Sequence, residues 1–287
     1  MKSDNNIDLK LSFLVIIALV FLSTNSILCR MALITQQTDA LSFTFFRIVS
    51  GAIFLLVVYF YKYKKLDLNT KTSWISAFML FLYAITFSFS YENMPAGIGT
   101  LILFAVVQLT MIFVALFYKE KLTLNKIIGI FLAFCGLVYL LYPKEEFNLS
   151  FEHTLFMIIS GIAWGFYTIL GKKSNDAFSN TKDNFIKASI LITLFMLLFI
   201  KNLTFDYYTL FLAIFSGVIT SALGYVIWYL ILPKIEILTA SVLQLFTPVI
   251  AIILSILFLN EVLSLELIIS SFVILFGIFV AILRKRV

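Results

Sequence analysis

Polar and apolar positions in this chain fall into long blocks, without the two-residue alternation of a strand or the three-and-four spacing of a surface helix. Ten nearly unbroken apolar stretches recur, over 11–29, 41–61, 74–91, 97–117, 125–142, 154–171, 185–200, 208–231, 237–259 and 266–283. Each is closed by charge, Pro, Asn or Asp, and the connections between them are short. A bilayer core about 30 Å thick is crossed by roughly 20 residues of helix. A helix also satisfies its backbone polar groups internally, which hydrocarbon demands. The pattern therefore predicts an all-α membrane protein with ten transmembrane helices. The first stretch follows Lys2 and Lys10 like a signal peptide, but it runs into Arg30 without a small-residue cleavage site. An uncleaved first helix is expected.

Composition narrows the class further. Of 287 residues, 62% are hydrophobic and 13% charged, whereas soluble domains run near half apolar and a quarter charged. No polar stretch is long enough for a second, soluble domain. Lys and Arg are distributed unevenly among the connections, which sets orientation. With a cytoplasmic N-terminus, sixteen fall on the inner side and three, Arg30, Lys144 and Lys201, on the outer. Both termini are then cytoplasmic. The net charge of +6 is accounted for by this bias, so no nucleic-acid partner is invoked. Two Cys, Cys29 and Cys135, and one His, His153, give no metal-binding or disulfide framework. No metal or other cofactor is expected.

An internal repeat organises the chain at an offset of 141 residues. Leu116 and Phe117 match Leu257 and Phe258, Glu120 matches Glu261, Ile127 and Ile128 match Ile268 and Ile269, Phe131 matches Phe272, and Gly136 matches Gly277. The front parts align at offsets of 140–143, pairing Arg30 with Lys173 and Arg47 with Lys187. The units are 1–147 and 148–287. Five spans in each force opposite senses in the membrane, so the expected architecture is two inverted five-helix repeats. Such repeats give two related conformations, one open to each side, around a site near the midplane.

These residues resemble the drug/metabolite transporter superfamily, in its EamA-type ten-helix branch. The resemblance is carried by the run from Pro95, Ala96 and Gly97 to Gly136, and by the run from Gly224, Tyr225 and Trp228 through Thr247 and Pro248 to Glu261 and Gly277. Ala163, Trp164 and Gly165 match the family's Trp-Gly element. Two departures stand out: Gln108 replaces the usual Pro of the fourth helix, and Phe21 to Asn25 replace the first Trp-Gly element. The resemblance implies a secondary transporter, not an enzyme, moving amino acids or related polar metabolites by export or exchange across a bacterial cytoplasmic membrane. A scavenging importer is the alternative within that class. A non-transporting structural or signalling subunit is the alternative outside it. A membrane-embedded enzyme would need polar catalytic clusters, which the spans lack. The partners are a small-molecule substrate and the lipid bilayer, with the chain a monomer or homodimer.

Candidate substrate-binding residues are polar or aromatic positions deep in the spans: Asn25, Tyr83, Gln108, Trp164, Tyr167, Tyr225, Trp228 and Gln244. Buried amides need protein or water partners, which places Asn25, Gln108 and Gln244 at a cavity wall. Pro248 removes a helical hydrogen bond and predicts a kink or hinge. Glu120 and Glu261 are expected to fasten hairpins by accepting from the N–H groups that open the next helix. Arg47 and Lys187 lie inside spans and are expected to snorkel toward the near interface as structural groups. No Asp or Glu falls in the middle of a predicted span, which argues for a facilitator or exchanger without proton coupling.

Overall fold

The computed structural model describes residues 9–64, 73–117, 124–141, 150–172, 174–199, 204–235, 237–262 and 264–282. Every regular element among them is helical. In chain order these are α1 (Leu9–Leu33), α2 (Ala40–Tyr63), α3 (Trp74–Tyr91), α4 (Ala96–Phe117), α5 (Leu124–Leu141), α6 (Phe151–Gly171) and α7 (Ala177–Phe199). Then come α8 (Tyr207–Phe215), a π-helical segment (Ser216–Leu223), α9 (Gly224–Ile231), a 3-10 turn (Leu232–Lys234), α10 (Ile237–Gln244), α11 (Phe246–Leu259) and α12 (Leu265–Ile282). Six stretches are long and apolar enough to cross a membrane: Leu9–Leu33, Ala40–Tyr63, Trp74–Tyr91, Ala96–Val114, Phe151–Gly171 and Tyr207–Lys234.

Polarity is distributed inside out. Leu198 is 79% exposed and Phe272 68%, while Asn25, Arg47, Gln108 and Gln244 are fully buried. A soluble monomer rarely exposes apolar patches beyond a few hundred Å². Here apolar side chains cover the outer surface of nearly every helix, and the polar groups meet inside. This is a multi-pass integral membrane protein.

Local chemistry sets the helix ends. Asp39 caps α2 by accepting from the Ser42 N–H, and Ser73 caps α3 through the Ile75 N–H. Asp206 and Thr209 form a reciprocal capping box at α8. The hydrogen bonds from Thr209 hold the Asp206 carboxyl below its ordinary range. Lys64 and Asn260 close α2 and α11 in the left-handed region, at φ 51° and 52°.

Three boundaries differ from expectation. α7 begins at Ala177, not 185, which brings Lys182 and Asp183 into a helix. Both are buried, paired at 3.2 Å, and the Lys182 ammonium lies 4.1 Å from the Tyr59 ring centre. Asp183 thus lies ahead of the expected 185–200 stretch, in the opening turns of α7, and ion pairing makes a buried Asp tolerable there. The eighth span is an α-π-α composite, and the ninth is broken at Leu245 between α10 and α11.

Helices from the two ends of the chain interleave. α2 packs on α7, α5 on α12, α3 on α6 and α7, α4 on α6 and α11, and α1 on α9 and α11. α2 and the π segment approach so closely that a Cβ on Gly217 would overlap the Arg47 carbonyl, and one on Gly51 would meet the Gly217 carbonyl at 2.8 Å. Only glycine permits that contact.

Candidate central site

Where α2, α3, α6 and the α8–α9 composite converge, aromatic rings form a continuous cluster. Trp164 lies 4.8 Å from both Tyr83 and Tyr225 and 5.5 Å from Tyr167, measured between ring centres. Tyr229 lies tilted against Tyr167 at 5.0 Å, and Phe185 sits 5.9 Å from Tyr225. Each such pair adds about 0.5–1.5 kcal/mol beyond area burial. Four of the aromatic residues expected at a cavity wall, Tyr83, Trp164, Tyr167 and Tyr225, are thus brought together. Trp228 is fully buried, and its indole N–H has no hydrogen-bond partner among the described residues.

Arg47 reaches into this cluster from α2. Its Nε donates to Ser221 Oγ at 2.9 Å, and Nη2 donates to the Tyr225 hydroxyl at 2.8 Å and to the Tyr83 hydroxyl at 3.3 Å. The guanidinium lies 5.1 Å from the Phe87 ring centre and 5.6 Å from that of Tyr83. The snorkelling expectation is corrected: hydroxyls and ring faces inside the bundle solvate the cation in place of the interface. Its supposed mate Lys187 goes elsewhere, with its ammonium 5.1 Å from the ring centre of Trp74, the first residue of α3.

Asn25 fixes the π segment. Its Oδ1 accepts from Ser216 at 2.9 Å, Thr220 at 2.5 Å and Ser221 at 3.1 Å, and its Nδ2 donates to the Thr220 carbonyl at 3.3 Å. Ser221 therefore relays between Arg47 and Asn25, accepting from one and donating to the other. Gln244 closes α10 and accepts from Trp164 Nε1 at 3.0 Å. Gln108 is bound to α10 through the Ser241 carbonyl and hydroxyl. Both amides are partnered within the protein. Pro248 lacks the N–H that would bond the Gln244 carbonyl, and the helix breaks one residue past Gln244.

Glu261 is a fastener, but to an unexpected helix. Its carboxylate accepts from Ala96 N–H at 2.6 Å and Gly97 N–H at 3.0 Å, capping α4 rather than α12. Free donors at a helix N-terminus attract whichever carboxylate packs there, and the α11–α4 contact brings this one. Glu120 lies outside the described residues. Glu92 caps α2 through the Ala40 N–H at 3.1 Å, and Arg30 donates to the Tyr91 and Glu92 carbonyls closing α3. Burial pushes the Glu92 carboxyl up, against the pull of the Ala40 N–H.

Sequence reasoning missed Ser221, Phe87, Phe185 and Tyr229. A signal existed for the first: Ser216, Thr220 and Ser221 lie at i, i+4 and i+5 in an otherwise apolar span, one face of a helical turn.

The structure defines a many-spanning helical membrane protein with a buried polar and aromatic centre, and likeness to known proteins gives the family. The model of the EamA-like transporter family matches residues 9–142 and again 153–283. The chain belongs to that family. It is 35% identical over 271 residues to an uncharacterized protein of Pseudomonas aeruginosa, covering 94% of each chain. It is 24% identical over 241 residues to an uncharacterized transporter of Archaeoglobus fulgidus, covering 83% of this chain and 86% of that one. It is 21% identical over 252 residues to the uncharacterized transporter YoaV of Bacillus subtilis, with the same coverages. One solved crystal structure shares the fold with a TM-score of 0.70 at 17% identity, covering 97% of this chain and 99% of that one.

Proposed function

We propose that the protein is a secondary transporter that carries small polar metabolites, amino acids or related compounds, across the cytoplasmic membrane by alternating access, in export or exchange. The observation that carries this reading is the fully buried Arg47 among hydroxyls and aromatic rings. Sequestering a cation from water costs several kcal/mol, and an apolar core would hold the helices together without that cost. A centre of this kind serves recognition. Tyr83, Trp164, Tyr167, Tyr225 and Trp228 form its aromatic walls, with Asn25, Gln108 and Gln244 holding the helices around it.

Ten crossings arranged as two inverted repeats, 1–147 and 148–287, go with this function. Several contacts join residues related by the repeat. The hydroxyls of Tyr83 and Tyr225 meet at 3.2 Å, and Ser189 donates to the Ile48 carbonyl at 3.5 Å. A Cβ on Gly136 would meet Ile274, while one on Gly277 would meet the Ala133 backbone. Reciprocal pairs like these are what a two-fold axis between α5 and α12 generates. The family match in two separate stretches supports the same reading.

The experiment is counterflow in proteoliposomes. Proteoliposomes holding the purified protein and preloaded with an unlabelled metabolite accumulate the labelled form transiently, and control liposomes do not. Absence of counterflow across a broad panel of metabolites, with folded protein in the membrane, would sink the carrier reading.

A further inference from the structure

Arg47 has a donor to spare. Its Nε and Nη2 are engaged, but Nη1 is buried with no hydrogen-bond partner among the described residues. The partners it does have are neutral: hydroxyls of Ser221, Tyr83 and Tyr225, and ring faces of Tyr83 and Phe87. No carboxylate lies within ion-pair distance of it among the described residues. Buried Asp and Lys elsewhere in the bundle are paired with each other at 3.2 Å, so the fold supplies counter-charge where none is needed for binding. At the centre it withholds one. A guanidinium stays charged inside proteins and presents its N–H groups as a planar fork matched to a carboxylate.

We infer that Arg47 anchors a carboxylate on the transported solute, and that the site takes small carboxylate-bearing molecules with an apolar or aromatic body. The inference rests on the carrier reading above and specifies its substrate class. The carboxylate meets the unpartnered Nη1, and displacing the tyrosine hydroxyls from Nη2 makes the contact bidentate. The rings of Trp164, Tyr225 and Phe185 then face the body of the solute. A carboxylate in this position neutralises the buried cation and removes its penalty. An isosteric amide offers one neutral oxygen and leaves the charge uncompensated. Charge-assisted bonds exceed neutral ones enough to separate acid from amide by about ten- to hundredfold in affinity.

The test compares matched acids and amides on the full-length protein in detergent and in proteoliposomes. Phenylacetate against phenylacetamide is one arm, and phenylalanine against its amide is the other. The first arm reads a simple carboxylate, the second a zwitterion, and stabilisation in either identifies the source. Acids should raise the Tm and sustain counterflow at concentrations about tenfold or more below those needed for the amides. Arg47→Gln should abolish the acid-over-amide preference, and Arg47→Lys should retain part of it. A purely structural Arg47 would change overall stability in Arg47→Gln and leave the preference intact. If Arg47→Gln does not fold, the wild-type comparison still decides, because equal binding of acid and amide in both arms overturns the inference. No binding by either acid overturns it too. Counterflow of amides and acids alike leaves the carrier standing and the anchor refuted. Acid-selective binding without any counterflow leaves the anchor standing and refutes the carrier.

Discussion

Glu261 holds the first two N–H groups of a helix 164–165 residues earlier in the chain. Replacing it with Gln keeps the shape and removes the charge that the two donors share with the α4 dipole. Such charge-assisted caps contribute about 1–2 kcal/mol, so Glu261→Gln should lower the Tm by roughly 2–8 °C. Substrate preference should not change. A variant of normal stability with altered preference would show that the carboxylate binds solute. At this scale the sequence was half legible. It exposed which residues are anomalous in hydrocarbon, because Arg47, Asn25, Gln244 and Glu261 stand out against their neighbours. It did not reveal where they point. The partners of Arg47 lie 36 to 178 residues away, and no periodicity encodes a contact of that separation. Snorkelling was the local answer for Arg47, and tertiary hydroxyls overrode it.

Helices were legible as blocks and illegible as shapes. Apolar length located α1 to α6 to within about four residues, because hydrophobic thickness fixes how much chain a crossing needs. It misplaced the start of α7, where Lys182 and Asp183 interrupt the apolar run yet stay buried as a pair. The π segment was also invisible, since its geometry follows from Asn25 gathering hydroxyls of Ser216, Thr220 and Ser221 onto one oxygen. The break between α10 and α11, by contrast, was written in Pro248. Gln244, the last residue of α10, holds Trp164, so bending at Leu245 moves a group bonded to the central cluster. Pro248→Ala restores the missing donor and fuses the two helices. Counterflow should slow severalfold while the Tm does not fall. Unchanged counterflow would make the break a static kink.

Over the whole molecule, hydrogen bonds sort the helix ends into two sets. Arg30 with Glu92, Asp39 with Thr204, Asn93 with His153 and Glu261 with Ala96 mark one end, and Lys172 with Ile235 the other. Which of the two sets faces the cytoplasm is a matter for experiment. Reporter fusions in 62–72, in 119–126 and at both termini should read cytoplasmic, and fusions in 144–152 external. A cytoplasmic 144–152 segment would remove both the orientation and the inverted repeat. Energetics belongs to this scale as well. Proton coupling requires a group whose occupancy changes the balance of the two access states. Glu92 and Glu261 serve as helix caps, and Asp183 is held by Lys182. A pH gradient alone should therefore not drive accumulation of a solute without net charge. Uphill movement under that gradient, lost in Asp183→Asn, Glu92→Gln or Lys187→Met, would name the coupling residue.

The interleaving of helices from the two ends of the chain also bears on biosynthesis. Residues leave the ribosome in order, and domains ordinarily fold as they emerge. When α4 enters the bilayer, the carboxylate that caps it has not been made. Arg47 is by then without Ser221 and Tyr225, and Asn25 without its three hydroxyls. The nascent N-terminal half thus spends much of its translation with a cation, an amide and two helix-end donors lacking the partners they have in the finished fold. That half is a dependent intermediate, and quality-control proteases have a window in which to recognise any chain that stalls before α11 is complete.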